Sequence, residues 1–207
     1  PGATLAEVDA LAAMAADAGV TLYTTWHSRM AAGVSPAKAW LADKIVTRAH
    51  ITWKEDVRRW HPGQEWVFEP GGMGVFDPGS NALSIITEIL PMPIHLQTAE
   101  LYFPENRDTP IAAQLRWTEN VTGDFDWRQE GPQNWDISVE TTAGKLDLHD
   151  GGDTLIIDGE KIAAGDNREY PALYDRMTEL VKSQASDVDV SPMIHVADAL
   201  PLGKRHI

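Results

Sequence analysis

The sequence predicts an α+β fold, in which helices cover one side of an open-faced, mostly antiparallel β-sheet. Two observations lead to this prediction. Residues 94–157 divide into short β-rich runs separated by turns that contain Gly, Asn or Asp, whereas helical patterns stand before and after them. Hydrophobic residues make up 43% of the 207-residue chain, which is ordinary for a protein that buries a core. A sheet covered on one face leaves its other face free, often for dimerisation.

Residues 4–18 form the first predicted helix. Thr4 can cap its start, Glu7 completes a capping box three residues later, and Gly19 is placed to end it. Residues 20–26 follow as a short β-rich run. This part of the sequence therefore predicts a helix followed by a strand.

The next segment predicts two helices with a long strand between them. The first helix covers residues 35–43, with Ser35 as its cap and Pro36 at the first helical position. The strand covers residues 45–57, and the second helix covers residues 81–90. Residues on one face of the strand are Ala49, Ile51, Trp53 and Glu55.

Further strands and two terminal helices complete the predicted fold. Each strand is a β-rich run bounded by turn residues. The predicted strands are 94–103, 111–117, 123–129, 135–141, 145–148 and 154–157, and the helices are 170–183 and 191–200.

The chain is strongly acidic, with 31 Asp and Glu against 17 Lys and Arg and a net charge of −14. This charge argues against nucleic acid or an anionic membrane as a partner. Cys is absent, which excludes disulfides, thiolate zinc sites and a cysteine nucleophile. No apolar run is long enough to span a membrane, and the first residues lack a secretory signal pattern, so we expect a cytoplasmic protein.

Tryptophan is unusually frequent, with 8 Trp against 4 Phe and 4 Tyr, and three Trp fall within residues 53–66 beside Glu, Asp, His and Gln. The C–H faces of a pyranose stack on aromatic rings, while its hydroxyls need hydrogen-bond partners at fixed angles. The alternative is a core strand followed by a loop whose tryptophans fill a lid. The polarity of the segment favours a sugar site.

A Gly-rich stretch over residues 69–81 contains Asp77 and Asn81, which project from one face if the segment is helical. Together they offer a proton acceptor and an amide that both donates and accepts. The sequence alone favours a simpler interpretation, with Asp77 as a helix N-cap and Pro78 at the first helical position. The glycines do not spell the GxGxxG fingerprint of dinucleotide binding.

The histidines offer little beyond one strand-end cluster, Trp26-His27-Ser28-Arg29. Packing of Trp26 against the core is the favoured interpretation of that cluster when it is taken alone. No pair of histidines has the spacing of metal ligands, so the sequence predicts no metal site.

Two segments carry a resemblance to a known family: WHSR and, further on, WKEDVRRWHPGQEWVFEPGGMGVFDPGSNALSI. They resemble the sugar 1-dehydrogenase branch of the Gfo/Idh/MocA oxidoreductases, and the resemblance runs from Pro1 to about Arg205. The wider family carries an Asp followed four residues later by His. Here Asp77 is followed by Asn81, the variant typical of the enzymes for D-galactose and L-arabinose.

The resemblance implies oxidation of an aldopyranose at C1 to the aldonolactone, with hydride transfer to NAD or NADP. It implies that Asp77 is the acid/base carboxylate, acting with a Lys, and that Asn81 holds the C1 region. That Lys and the cofactor-binding residues are expected upstream of Pro1. The positions that match sugar-binding residues of the family are Glu55, His61, Trp60, His27 and Trp135.

The resemblance also implies two domains. Residues 1–30 would be the last helix and strand of a Rossmann-type dinucleotide-binding domain. Residues 31–207 would form the substrate-binding, catalytic and oligomerisation domain, with a homo-oligomer contact through the open sheet face. The chain alone is then expected to be inactive.

Three other functions remain open at this stage. A non-catalytic sugar-binding module would use the same Trp-rich cleft without a cofactor. A cofactor-independent glycosidase would use a carboxylate pair such as Glu55 and Asp77. A scaffold that has lost its chemistry would not need to retain Asp77 with Asn81.

Overall fold

The computed structural model describes residues 4–165 and 168–207, so residues 1–3 of the predicted first domain lie outside the described residues. The helices are α1 (Leu5–Ala18), α2 (Val34–Leu41), α3 (Val57–Trp60), α4 (Phe76–Ile89), α5 (Glu169–Ser183) and α6 (Ser191–Leu202). The strands are β1 (Val46–Lys54), β2 (Leu96–Tyr102), β3 (Ala112–Trp117), β4 (Val121–Asp126), β5 (Asn134–Thr141), β6 (Gly144–His149), β7 (Thr154–Ile157), β8 (Glu160–Ala164) and β9 (Lys204–His206).

All of these strands join one sheet in the order β8-β7-β6-β5-β1-β4-β3-β2-β9. The pairs β1–β4 and β2–β9 are parallel, and the other neighbouring pairs are antiparallel. The predicted α+β class with a mostly antiparallel sheet is confirmed. Strand β1 lies at the centre of the order, so the residues that follow it reach the middle of one sheet end.

Helices cover one face of the sheet: α4 contacts β1 and β5, and α6 contacts β2. On β1 the four residues predicted to share one face, Ala49, Ile51, Trp53 and the following Glu55, are all buried. His50, Thr52 and Lys54 alternate with them on the opposite, open face and are half-buried. The core therefore lies between the helices and this one face.

Helix α1 has the predicted ends. The Thr4 hydroxyl accepts from the Glu7 backbone N–H at 3.3 Å, and the Glu7 carboxylate accepts from the Thr4 backbone N–H at 3.2 Å. Gly19 closes the helix with a φ of 64°. Residues 20–26 do not form the predicted strand, because their only backbone bridge within the described chain joins Tyr23 to Asp187.

The starts of α2 and α4 also differ from the prediction. Gly33 is the N-cap of α2, so the predicted cap at Ser35 is wrong. The Gly33 N–H donates to the Gly152 carbonyl at 2.8 Å, which fixes the helix start before Ser35 is reached. Helix α4 begins at Phe76 and so includes the polar residues expected in an irregular segment.

Strands β8 and β9 were not predicted. Strand β8 is largely exposed and has no apolar alternation, and β9 has three residues that pair with β2. Both depend on neighbouring strands rather than on their own sequence. Among the described residues, no helix combines the length and the apolar character needed to cross a membrane.

Candidate active site

Four of the predicted sugar-site residues lie together at the carboxyl end of β1: Glu55, Trp60, His61 and Trp135. Because β1 and β4 are parallel, both end here, and β5 begins here in the opposite direction. Glu55 follows the last residue of β1 and its N–H donates to the Asp126 carbonyl at 2.9 Å. Trp127 follows β4, while Trp135 lies directly opposite Trp53.

Glu55 is the most buried acid of this group, with 5% of its surface exposed. Its two carboxylate oxygens accept from different indoles, Oε1 from Trp127 at 3.0 Å and Oε2 from Trp135 at 2.9 Å. Burial raises the pKa of Glu55, and the two indole donors partly oppose this shift. His61 also lowers this pKa and Asp77 raises it, so both groups lie within electrostatic reach.

Asp77 lies in the first turn of α4 without capping the helix. The N-cap is Val75, so the favoured interpretation of Asp77 as the cap is wrong. The carboxylate instead faces His61, with Oδ2 lying 3.3 Å from Nε2. Burial raises the pKa of Asp77, and His61 opposes that shift. A half-buried carboxylate beside an imidazole can serve as a proton acceptor.

The start of α4 is set by a close backbone approach. The Val75 N–H donates to the Pro110 carbonyl at 2.7 Å. Gly74 has a φ of 55°, and a Cβ atom here would lie 2.2 Å from the same Pro110 oxygen. Only glycine fits this contact, so the backbone just before Asp77 is held against Pro110.

Aromatic rings wall the cleft. The Trp135 ring lies 6.0 Å from that of Trp53 and 5.5 Å from that of Trp60. The His61 ring lies 5.2 Å from that of Trp127. Trp60 is 41% exposed, so part of an indole face is open to a ligand.

Asn81 and His27 are placed differently from the other predicted residues. Asn81 lies one turn after Asp77 on α4 and is half-buried, and its backbone carbonyl accepts from Ser84. His27 contacts Glu169 and stacks on Tyr170 of α5 with ring centroids 5.5 Å apart. The contacts found for His27 thus lead to α5, and its role in sugar binding stays a prediction.

Trp127 is the site residue that was not predicted. Its indole is fully buried and bonds to Glu55 across the β1–β4 pair. One signal was present in the sequence: Gly123, Phe125 and Trp127 alternate on the core side of a strand that ends near Glu55. The pairing of β4 with β1 is needed to turn that alternation into a contact.

A separate apolar cavity of about 500 Å³ lies between α1, the segment around Trp26, Gly71–Met73 and α6. Its lining residues include no Lys, Arg or His. We assign no ligand to this cavity. Within residues 4–165 and 168–207, no group of three His, Asp or Glu side chains could hold a metal ion.

Comparison with known proteins finds close relatives. The crystal structure of D-galactose-1-dehydrogenase from Rhizobium etli is 52% identical, with a TM-score of 0.94 over 100% of this chain and 67% of that chain. Galactose 1-dehydrogenase from Pseudomonas fluorescens is 41% identical over 179 residues, which are 84% of this chain and 59% of that protein. The chain thus spans under two thirds of the length of this curated relative.

A more distant solved structure shares the fold alone. The 3-ketoreductase KijD10 from Actinomadura kijaniata, in complex with NADP and TDP-benzene, has a TM-score of 0.76 at 13% identity, over 96% of this chain and 67% of that chain. No protein-family profile matches the sequence.

Proposed function

The chain belongs to the Gfo/Idh/MocA oxidoreductases, and we propose that it forms the sugar-binding side of an NAD(P)-dependent aldopyranose 1-dehydrogenase. One observation carries the proposal: Glu55, the His61–Asp77 pair and the Trp rings lie next to one another at the carboxyl end of β1. This cluster belongs to a chain similar over its whole length to a D-galactose-1-dehydrogenase. The carboxylates, imidazole and indoles match what a pyranose requires.

The reaction is the oxidation of C1 of the ring form to an aldonolactone. When bound, the nicotinamide supplies the acceptor for the hydride that leaves C1. Asp77 accepts the proton of the C1 hydroxyl, so the C–H and O–H bonds break and the carbonyl forms. His61, at 3.3 Å, stabilises the ionised Asp77 that this step requires.

The remaining predicted residues hold the sugar. Glu55 accepts from ring hydroxyls, Asn81 positions the C1 region, and His27 contributes from its turn beside α5. Trp60 and Trp135 provide the aromatic surface. D-galactose and L-arabinose share their configuration at C2 to C4, so one pocket can accept both sugars. The space around C5 and C6 then sets the preference.

Reduction of NAD⁺ or NADP⁺, followed at 340 nm with either sugar, tests the proposal in a protein that joins this chain to its nucleotide-binding half. We expect turnover with D-galactose, a lactone product and loss of activity in Asp77→Ala. Binding of galactose that is unaffected by NADP⁺, without turnover, would favour a sugar-binding module. Hydrolysis of galactosides without a cofactor would favour a glycosidase.

We propose that residues 1–30 complete the dinucleotide-binding domain and that residues 31–207 form the catalytic domain. In support, α1 and the extended segment after it contribute no strand to the sheet. The 207 residues alone should not reduce NAD(P)⁺, because they offer neither a GxGxxG turn nor the expected Lys. A normal rate from this chain alone would contradict that statement.

We also propose that two copies associate through the open face of the sheet. This face carries charges of both signs, with Lys54 paired to Asp124 and Lys145 paired to Asp147. Such a mixed surface can complement itself about a twofold axis. Sedimentation should show a dimer that Arg116→Glu, a change at an exposed position of β3, weakens. A cytoplasmic location stays a prediction.

A further inference from the structure

The carboxylate of Glu55 is held by two neutral donors from two different strands. Trp127 of the β4 end bonds to Oε1 and Trp135 of β5 bonds to Oε2, at 3.0 and 2.9 Å. An ionised carboxylate has about four lone-pair sites, two on each oxygen. The indoles take one site on each oxygen, which leaves one acceptor site free on each.

The indoles approach the Glu55 carboxylate from the two strands that flank β1. His61 and Asp77 lie close enough to shift the pKa of Glu55, and their side chains are 21% and 38% exposed. The two free acceptor sites of Glu55 therefore lie near partly exposed polar groups. The ring of His61 packs on Trp127, and the ring of Trp60 packs on Trp135, so each indole also has an aromatic neighbour.

We propose that Trp127 is a positioning residue which, with Trp135, fixes the Glu55 carboxylate so that its two oxygens each accept one of two adjacent pyranose hydroxyls. This inference rests on the proposed function and deepens it. It assigns Glu55 a vicinal diol, rather than a single hydroxyl, as its ligand. Sugars that lack either hydroxyl leave a buried acceptor unpaired and should therefore bind poorly.

The choice of indole as the donor has a chemical reason. An indole N–H donates only, so it cannot compete with Glu55 for the hydroxyl protons of the sugar. Unlike Lys or Arg, it carries no charge, so the negative charge of Glu55 remains available to the ligand. The indoles also favour the ionised form of a group whose pKa burial raises.

Comparison of Trp127→Phe with Trp117→Phe tests the positioning role. Both indoles are fully buried, and Trp117 donates to His195 at 3.2 Å, near the opposite end of the sheet. In the protein with its nucleotide-binding half, we expect Trp127→Phe to raise the KM for D-galactose about tenfold with little change in kcat. The acid limb of kcat/KM should also move to higher pH, because Glu55 loses a donor that lowers its pKa.

Trp117→Phe removes a buried indole of the same size and should change neither KM nor the pH profile. Equal effects from the two substitutions would overturn the positioning role, since both would then reflect lost packing alone. The other ionisable groups that shift Glu55 are His61 and Asp77, and neither substitution removes them.

A second measurement needs no activity and no folded variant of Trp127. Indole N–H resonances of the unsubstituted protein, labelled with ¹⁵N at Trp, report directly on their acceptors. The Trp127 and Trp135 resonances should titrate together with Glu55, lose that titration in Glu55→Gln, and shift when D-galactose is added. The Trp117 resonance serves as the internal control.

The outcomes separate this inference from the proposed function. A response to D-galactose without a common titration overturns the positioning role alone. If the Trp127 and Trp135 resonances titrate together but do not shift with D-galactose, the proposed function is wrong. The proposed role of Glu55 in sugar binding is then wrong as well. Both responses together support the two proposals.

Discussion

Two buried polar groups, Glu55 and His195, accept hydrogen bonds from tryptophan indoles at opposite ends of the sheet. At the carboxyl end of β1, Glu55 accepts from two indoles and keeps acceptor capacity towards an open cleft. At the other end, His195 accepts from the Trp117 indole at 3.2 Å and is 7% exposed. Burial disfavours the charged form of each group, so it raises the pKa of Glu55 and lowers that of His195.

The two ends differ in whether the buried group still has hydrogen-bond acceptor sites to offer a ligand. Trp117 and His195 pair one donor with one acceptor in a closed core, which satisfies a buried group and serves stability. Glu55 is satisfied by its indoles and still has acceptor sites left. The spare acceptor capacity of Glu55 therefore indicates a binding site, whereas the Trp117–His195 hydrogen bond stabilises the core.

The largest expected effect concerns Asp77. Asp77→Asn should lower kcat by roughly 10²- to 10⁴-fold in the protein with its nucleotide-binding half, because the amide cannot accept the C1 proton. The melting temperature should change little, since Val75 rather than Asp77 caps α4. Asp175→Asn, at an exposed position of α5, is the control. A loss confined to stability would return Asp77 to a structural role.

The next effect separates the two ends directly. Glu55→Gln should raise the KM for D-galactose roughly 10- to 100-fold, because a charged acceptor is lost and one indole then faces an amide NH₂. His195→Gln should leave that KM unchanged. Steady-state kinetics of the two variants decide the matter, and similar changes in KM would remove the functional distinction between the pairs.

The pH dependence of stability should differ in sign between the two ends. The pKa of Glu55 is raised above 4.5, so its contribution to stability is complete below that value and is lost as the pH rises through the folded pKa. The pKa of His195 is lowered below 6.5, so its contribution is present above that value and is lost as the pH falls through the folded pKa. Each group changes the unfolding free energy by at most about 1.4 kcal/mol per pH unit.

Urea unfolding of Glu55→Gln and His195→Gln, from below pH 4.5 to above pH 6.5, measures how the unfolding free energy of each variant changes with pH. Relative to the parent protein, stability should rise more steeply with pH in Glu55→Gln and less steeply in His195→Gln. Parallel curves would mean that neither group is perturbed by the fold.

The smallest expected effect tests the aromatic wall. Trp60→Ala should weaken D-galactose binding about 2- to 10-fold, because the Trp60 ring lies against Trp135 and presents a face to the cleft. Trp66→Ala, in the neighbouring 3₁₀ turn Glu65–Phe68, removes an indole that is 55% exposed and should have no effect. Calorimetry on both variants distinguishes a sugar wall from a generally apolar loop.

Local features of the fold could be predicted from the sequence and distant ones could not. The caps of α1 depend on Thr4, Glu7 and Gly19, which lie beside the helix they bound. The start of α4 depends on Pro110, more than thirty residues beyond Val75, and was placed too late. The residues around Val75 do not indicate that its N–H bonds to Pro110, so the local sequence cannot predict this helix start.

The same limit applies to the site. Asp77, Glu55 and His61 lie within one continuous motif block, so a resemblance could identify them together. Trp127 is 72 residues from Glu55, and the partner of His27, Glu169, is 142 residues away. Contacts of that separation depend on strand order, which no segment of the sequence specifies alone.

Those separations have a kinetic consequence for the protein. The bonds that complete the Glu55 site join residues 72 and 80 positions apart, across β1, β4 and β5. Contacts that close such long loops are costly in chain entropy and tend to form late in folding. A sugar that binds there should therefore leave the refolding rate unchanged and slow unfolding instead, so that its benefit is a longer lifetime of the native state.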